Sequence, residues 1–173
     1  MLKTSLAGLI LCFTATAASA DEPSVAITVS PIHLFVPMGE LTIEGRVGDR
    51  IGIALIAGVG AYRDPDTNQR ISLFEGGASA RYYVTGSFRG GLQLGAEAAY
   101  VYGATDAMNI DVKAAGLGLS PFAGYKWTHS SGFTFEGQLG ATFMVAKAKA
   151  ESGQMAEDRG IGPMLNLNVG YSF

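Results

Sequence analysis

From residue 40 onward, apolar and polar residues alternate with a period of two, and the apolar set contains no charge. Leu41, Ile43 and Val47 fall on one side, with Glu40, Thr42, Glu44 and Arg46 on the other. Ile51, Ile53, Leu55, Ala57 and Val59 then oppose Gly52, Ala54, Gly58 and Gly60, and Phe74, Ala78, Ala80, Tyr82 and Val84 oppose Glu75, Gly77, Ser79 and Arg81. Leu92, Leu94, Ala96, Ala98 and Tyr100 oppose Gln93, Gly95 and Glu97. The pattern recurs over 117–127 with Lys126 on the polar side, over 133–145 with Glu136 and Gln138, and over 165–173 with Asn166 and Asn168. A period of two is the signature of a strand whose faces meet different surroundings.

With a first segment over 24–35, these stretches predict eight strands. An even number of antiparallel strands closes on itself and leaves no unpaired edge. A soluble ligand-binding barrel keeps apolar residues inside and charges outside. Here the larger apolar side chains carry the charge-free face, which suits hydrocarbon. The expected fold is therefore all-β, an eight-stranded antiparallel up-and-down transmembrane β-barrel. No stretch after the N-terminus reaches the ~20 apolar residues of a spanning helix.

The 20 N-terminal residues read as a secretory signal. Lys3 supplies the positive start, 6–13 the apolar segment, and Ala18, Ser19 and Ala20 the small-residue cleavage site. The expected organisation is a cleaved signal at 1–20 and one barrel over 21–173. The single Cys, Cys12, precedes the cut, so the mature chain is expected to hold no disulfide and no thiolate.

Three connections are short (48–50, 85–89 and 129–132), and three are longer and polar (63–70, 104–111 and 147–159). Short turns belong to the periplasmic side and long loops to the outside. The first outer connection, 36–39, is expected to be short. Tyr82, Tyr125, Trp127, Phe133, Phe135, Tyr171 and Phe173 gather at the short-turn ends, and Tyr100, Tyr102 and Phe143 near the others, as headgroup girdles would. The alternation slips at Ser30-Pro31, where a bulge is expected. Pro121, which cannot donate to a ladder, predicts another bulge or an irregular pair in the sixth strand.

The last nine residues, Leu-Asn-Leu-Asn-Val-Gly-Tyr-Ser-Phe, place apolar side chains at every second position and end on an aromatic. This segment resembles the terminal strand of bacterial outer-membrane barrels. The resemblance implies that Val169, Tyr171 and Phe173 form the signal read by the barrel-assembly machinery. The whole chain is similar to the small eight-stranded porin-like family that includes the OmpA transmembrane domain. That family is functionally mixed, so the likeness carries no catalytic residue across. It implies an integral protein of the outer membrane, in contact with its lipid, that arrives after secretion through the inner membrane.

The inward set includes Glu40, Glu44, Glu75, Glu97 and Glu136 with Arg46, Arg81 and Lys126. Pairing symmetric about the short turns places Glu44 opposite Ala54, Arg46 opposite Gly52, Glu97 opposite Gly77 and Glu136 opposite Gly124. Buried charges persist when paired and hydrogen-bonded. A lumen charge cluster of Glu44, Arg46, Glu75, Arg81, Glu97, Lys126 and Glu136 that plugs the barrel is thus the expected site. The alternative is a narrow, low-conductance pore for ions or small solutes, lined by the surplus Glu residues.

Other chemistry finds little support. His129-Ser130-Ser131, with Glu136 beyond, faintly resembles the His-x-Ser arrangement of barrel lipid A deacylases, but a polar turn accounts for it and Glu136 points inward. His33, the only other His, with scattered carboxylates makes no metal site. Gly58-Val59-Gly60 and Gly116-Leu117-Gly118 lie inside strands rather than opening a helix, so no phosphate loop is expected. A net charge of −3 without a Lys/Arg cluster leaves no footprint for nucleic acid. The expectation is a non-catalytic barrel, without cofactor or metal, that supports the envelope or presents outer loops to a partner. Residues 147–159 are the best candidate for that contact.

Overall fold

Each strand hydrogen-bonds the next in sequence, and the last returns to the first. In the computed structural model, which describes residues 22–35, 37–63, 70–107, 110–150 and 155–173, this closes an antiparallel up-and-down barrel of eight strands among the described residues. The strands are β1 (Val25–Val29), β2 (Met38–Gly48), β3 (Ile51–Arg63), β4 (Arg70–Tyr83), β5 (Gly90–Ala107), β6 (Ile110–Thr128), β7 (Phe133–Ala150) and β8 (Met155–Ser172). The expected signal at 1–20 and residues 64–69 of the third connection lie outside the described residues.

The two faces have opposite character, as the alternation demands. Ile43, Leu55, Phe74, Leu94, Leu119, Phe135 and Leu165 are exposed on the outer wall, while Glu44, Arg81, Gln93, Lys126, Glu136 and Asn168 are buried in the lumen. The aromatic residues expected at the short-turn ends are all exposed on the outer wall.

Five local expectations need correction. The first segment does not continue to residue 35: β1 stops at Val29, and Pro31–Phe35 coils into a 3₁₀ turn. The slip at Ser30-Pro31 is thus a strand end rather than a bulge, because Pro31 has a fixed φ suited to starting a helical turn and no N–H for the ladder. The connection to β2 therefore includes that turn and is not the short 36–39 link. The stretches 104–111 and 147–159 are not loops over most of their length. β5 runs to Ala107 and β6 starts at Ile110, while β7 runs to Ala150 and β8 starts at Met155. Pairing there satisfies the backbone without an apolar face, so the alternation fades while the ladder goes on.

The last correction is register. Glu97 pairs with Ser79, not Gly77, and Glu136 pairs with Lys126, not Gly124. Both hairpins turn one residue later than symmetry about the expected turns predicts, through Gly86 (φ 74°) and Gly132 (φ 94°). A two-residue shift keeps every side chain on its face but changes its neighbour. Glu44 opposite Ala54 and Arg46 opposite Gly52 are as expected. The ladder to β7 skips Ser120 and Pro121 and resumes in the same register, which is the irregularity Pro121 predicts.

The barrel is lopsided. Val29 at the end of β1 pairs with Leu41 and Val169, whereas β8 begins at Met155. The wall is low at β1 and high along β5 to β8, and the 3₁₀ turn packs against β2 and β8 at the low side. Ser30 anchors that turn: its N–H donates to Glu40 O (3.2 Å), its hydroxyl donates to Asn166 Oδ1 (2.8 Å), and its carbonyl accepts from His33 N–H (3.3 Å).

Candidate functional site: a divided lumen

The lumen holds two charge groups of different composition. Near the short turns, β2 contributes Glu44, β4 Arg81 and Tyr83, β6 Lys126 and β7 Glu136. Gly52, opposite Arg46 on β3, leaves the space that the Glu44 carboxylate occupies. Arg81 Nη1 donates to both Glu136 oxygens (2.8 Å each) and to Glu44 Oε2 (3.2 Å). Lys126 Nζ donates to Glu44 Oε2 (2.8 Å) and to the Tyr83 hydroxyl (3.3 Å), and the Tyr83 hydroxyl donates to Glu44 Oε1 (2.7 Å). Gln138 Nε2 also donates to Glu136.

Phe88, from the β4–β5 turn, tucks beneath this network. Its ring centroid lies 3.7 Å from Lys126 Nζ and 6.1 Å from the Tyr83 ring, edge on. Lys126 thus has a carboxylate, a phenol and an aromatic face around a fully buried ammonium. Two carboxylates meet two cations, so the lower network is neutral overall.

The remaining inward acids lie higher. Glu40, Glu75 and Glu97 line a cavity of about 260 Å³ together with His33. His33 Nδ1 lies 2.7 Å from Glu40 Oε2. The Glu40 side chain is 3% exposed, and its second oxygen, Oε1, has no hydrogen-bond partner in the protein; Glu97 Oε2 has none either. Gly58 leaves room for the Glu75 side chain, which packs over it.

Of the seven charges expected to form one cluster, the structure brings together Glu44, Arg81, Lys126 and Glu136. It separates Glu75 and Glu97, which face the upper cavity, and Arg46, which pairs with Glu22 (2.6 Å) at the short-turn mouth. Tyr83 and Phe88 are the functional-site residues that sequence reasoning missed. Tyr83 could have been found, since it shares the inward parity of Arg81. Phe88 sits in a turn, where alternation carries no information. Val169 and Tyr171 pair with Val29 and Ile27 of β1, and Phe173 donates its N–H to Val25 O (2.8 Å), with Tyr171 and Phe173 exposed on the outer wall.

The His129–Ser131 pair does form, with Nδ1 and Oγ 3.0 Å apart. Glu136 is bound to Arg81 inside the lumen and does not orient His129. Among the described residues, no group of three His, Cys, Asp or Glu is placed to hold a metal ion.

The Glu40 carboxylate beside it raises the His33 pKa above its ordinary value; burial opposes this, while the charges of Glu75 and Glu97 add to it. A raised value means that the folded state prefers the imidazolium. Its stabilisation is complete below the unfolded pKa of about 6.5 and is lost as pH rises through the folded value. His33→Gln is therefore expected to lower the urea midpoint more at about pH 5.5 than at about pH 8.5. Equal losses at both would show that the imidazolium charge contributes nothing.

No protein-family model and no curated protein matches this chain, so its functional reading rests on the barrel and its lumen.

Proposed function

We propose that this chain is an integral barrel of the bacterial outer membrane, non-catalytic, with a lumen sealed by its lower side-chain network. It supports the envelope or presents its high rim to a partner. One observation carries the reading: the outer face is charge-free through the middle of every strand, while the buried charges Glu40, Glu44, Arg81, Lys126 and Glu136 lie in the lumen. Large apolar side chains exposed on all eight strands suit lipid rather than water. The aromatic ends fit the headgroup regions. The terminal strand, ending Val169, Tyr171 and Phe173, is the segment we assign to recognition by the barrel-assembly machinery.

Sealing follows from the energetics of the network. Opening a path would strip Lys126 and Arg81 from their carboxylates, and an uncompensated buried charge costs several kcal/mol, of order 3–5. The mature chain, refolded and shown to be folded by heat-modifiability on a gel, is expected to stay electrically silent in a planar bilayer. Reproducible cation-selective steps from the same preparation would overturn the seal and install the pore in its place.

A further inference from the structure

We propose that the upper lumen cavity is a binding site for a small organic cation, an alkylamine or short diamine. The case begins with where the charges go. Glu44 and Glu136 are matched by Arg81 and Lys126, and Arg46 is matched by Glu22. The excess of inward acid is therefore concentrated in one place, where Glu40, Glu75 and Glu97 share a cavity. Among the described residues lining it, His33 alone is basic.

Glu40 supplies the second, independent indication. Glu40 lines this cavity; one of its oxygens lies 2.7 Å from His33 Nδ1, while the other is buried and lacks a protein donor. A buried carboxylate oxygen without a donor is costly. An ammonium group offers three N–H donors and a full positive charge, which would supply a donor to the unpartnered carboxylate oxygens and relieve the repulsion among the three acids.

The rest of the lining bears on which cation. Met144, Met164 and Ala99 offer contact to methylene groups, beside the neutral polar side chains of Ser120, Thr142 and Asn166. The acids lack the spacing of a metal cage. A volume of about 260 Å³ falls below the ~300–1,000 Å³ of drug-sized ligand sites, so the occupant is a chain of a few carbons. If the lower network seals the lumen, as proposed above, the cavity is blind below, and the ligand enters and leaves at the rim beside the 3₁₀ turn.

The test is calorimetric titration of the full mature barrel, refolded in a zwitterionic detergent at low salt, with 1,4-diaminobutane. Saturable binding at one site per barrel is expected, weakened at least tenfold in Glu40→Gln and in Glu97→Gln and reduced by added salt. The uncharged isostere 1,4-butanediol is expected not to bind, and magnesium chloride is expected not to displace the diamine beyond the effect of ionic strength. Heat-modifiability of each variant checks its fold. Should Glu40→Gln not fold, Glu75→Gln and Glu97→Gln, which are only part-buried, carry the comparison. A folded barrel that takes up no diamine overturns the proposal. So does uptake that survives all three substitutions, or binding of magnesium in place of the amine. The conductance of the same preparation separates this outcome from a failure of the seal, since a silent barrel that binds no amine refutes the site alone.

Discussion

Glu44→Ala is expected to destabilise the folded barrel by about 3–5 kcal/mol, read as a fall in the urea midpoint in lipid vesicles. Fluorescence of Trp127, the only Trp in the chain, reports the transition. Glu44 is the one carboxylate shared by both cations of the lower network, and it also accepts the Tyr83 hydroxyl. Removing it leaves Arg81 with Glu136 but strips Lys126 of its paired carboxylate, at a site with no solvent exposure. The phenol and the Phe88 face remain, and they do not replace a full negative charge. Adding Lys126→Met to Glu44→Ala is expected to recover much of the loss, because an apolar side chain of similar length leaves no orphaned charge. A loss below about 1 kcal/mol, in the range of exposed ion pairs, would mean that water reaches Lys126 and that the lower lumen is not closed.

Gly170→Ala is expected to impair closure of the barrel itself. β1 meets β8 only from Ala26 opposite Ser172 to Val29 opposite Val169, extended by Phe173 pairing with Ser24 and Val25. Gly170 faces Thr28 in the middle of this seam, and a Cβ there would run into the backbone at Ile27 O and Thr28 Cα. Neither flexible side chain nor cavity absorbs the methyl group, so the β1 backbone must move. The expected cost is at the upper end of the ~1–3 kcal/mol typical of overpacking, or beyond, and it falls on the seam with the shortest ladder. The heat-modifiable form should be depleted or lost on a gel. Gly162→Ala, on the same strand but with open space where its methyl group would go, is the control and is expected to fold normally. Equal behaviour of the two variants would refute the close approach at Thr28.

The faces of the barrel were legible residue by residue. Leu92, Leu94 and Tyr100 announce the outer wall as plainly as Gln93 and Glu97 announce the lumen, because a strand has only two sides. Strand ends were legible only where the apolar belt ends with them. At 104–107 and 155–159 the ladder outlives the belt, since backbone pairing needs no hydrophobic face. At Ser30 the reverse happens: apolar Ile32 and Leu34 look like strand, but the chain has already coiled into a 3₁₀ turn behind Pro31. That turn carries His33 into the upper lumen, beside Glu40.

The site was legible as a composition and not as an arrangement. Counting inward charges shows a surplus of acid somewhere in the lumen, and the period of two protects that count, because register slips of two residues leave every side chain on its face. Alternation alone determined the barrel and which strand residues face its interior. Which charges meet was decided by the tertiary structure. Glycine-bearing turns set the registers of the β4–β5 and β6–β7 hairpins, Glu136 thereby came to face Lys126 rather than Gly124, and closure of the ring brought Arg81 to both carboxylates. The same registers left Glu40, Glu75 and Glu97 together above them. Contacts across a lumen join residues far apart in sequence through several strand pairings at once, and no local pattern encodes that sum.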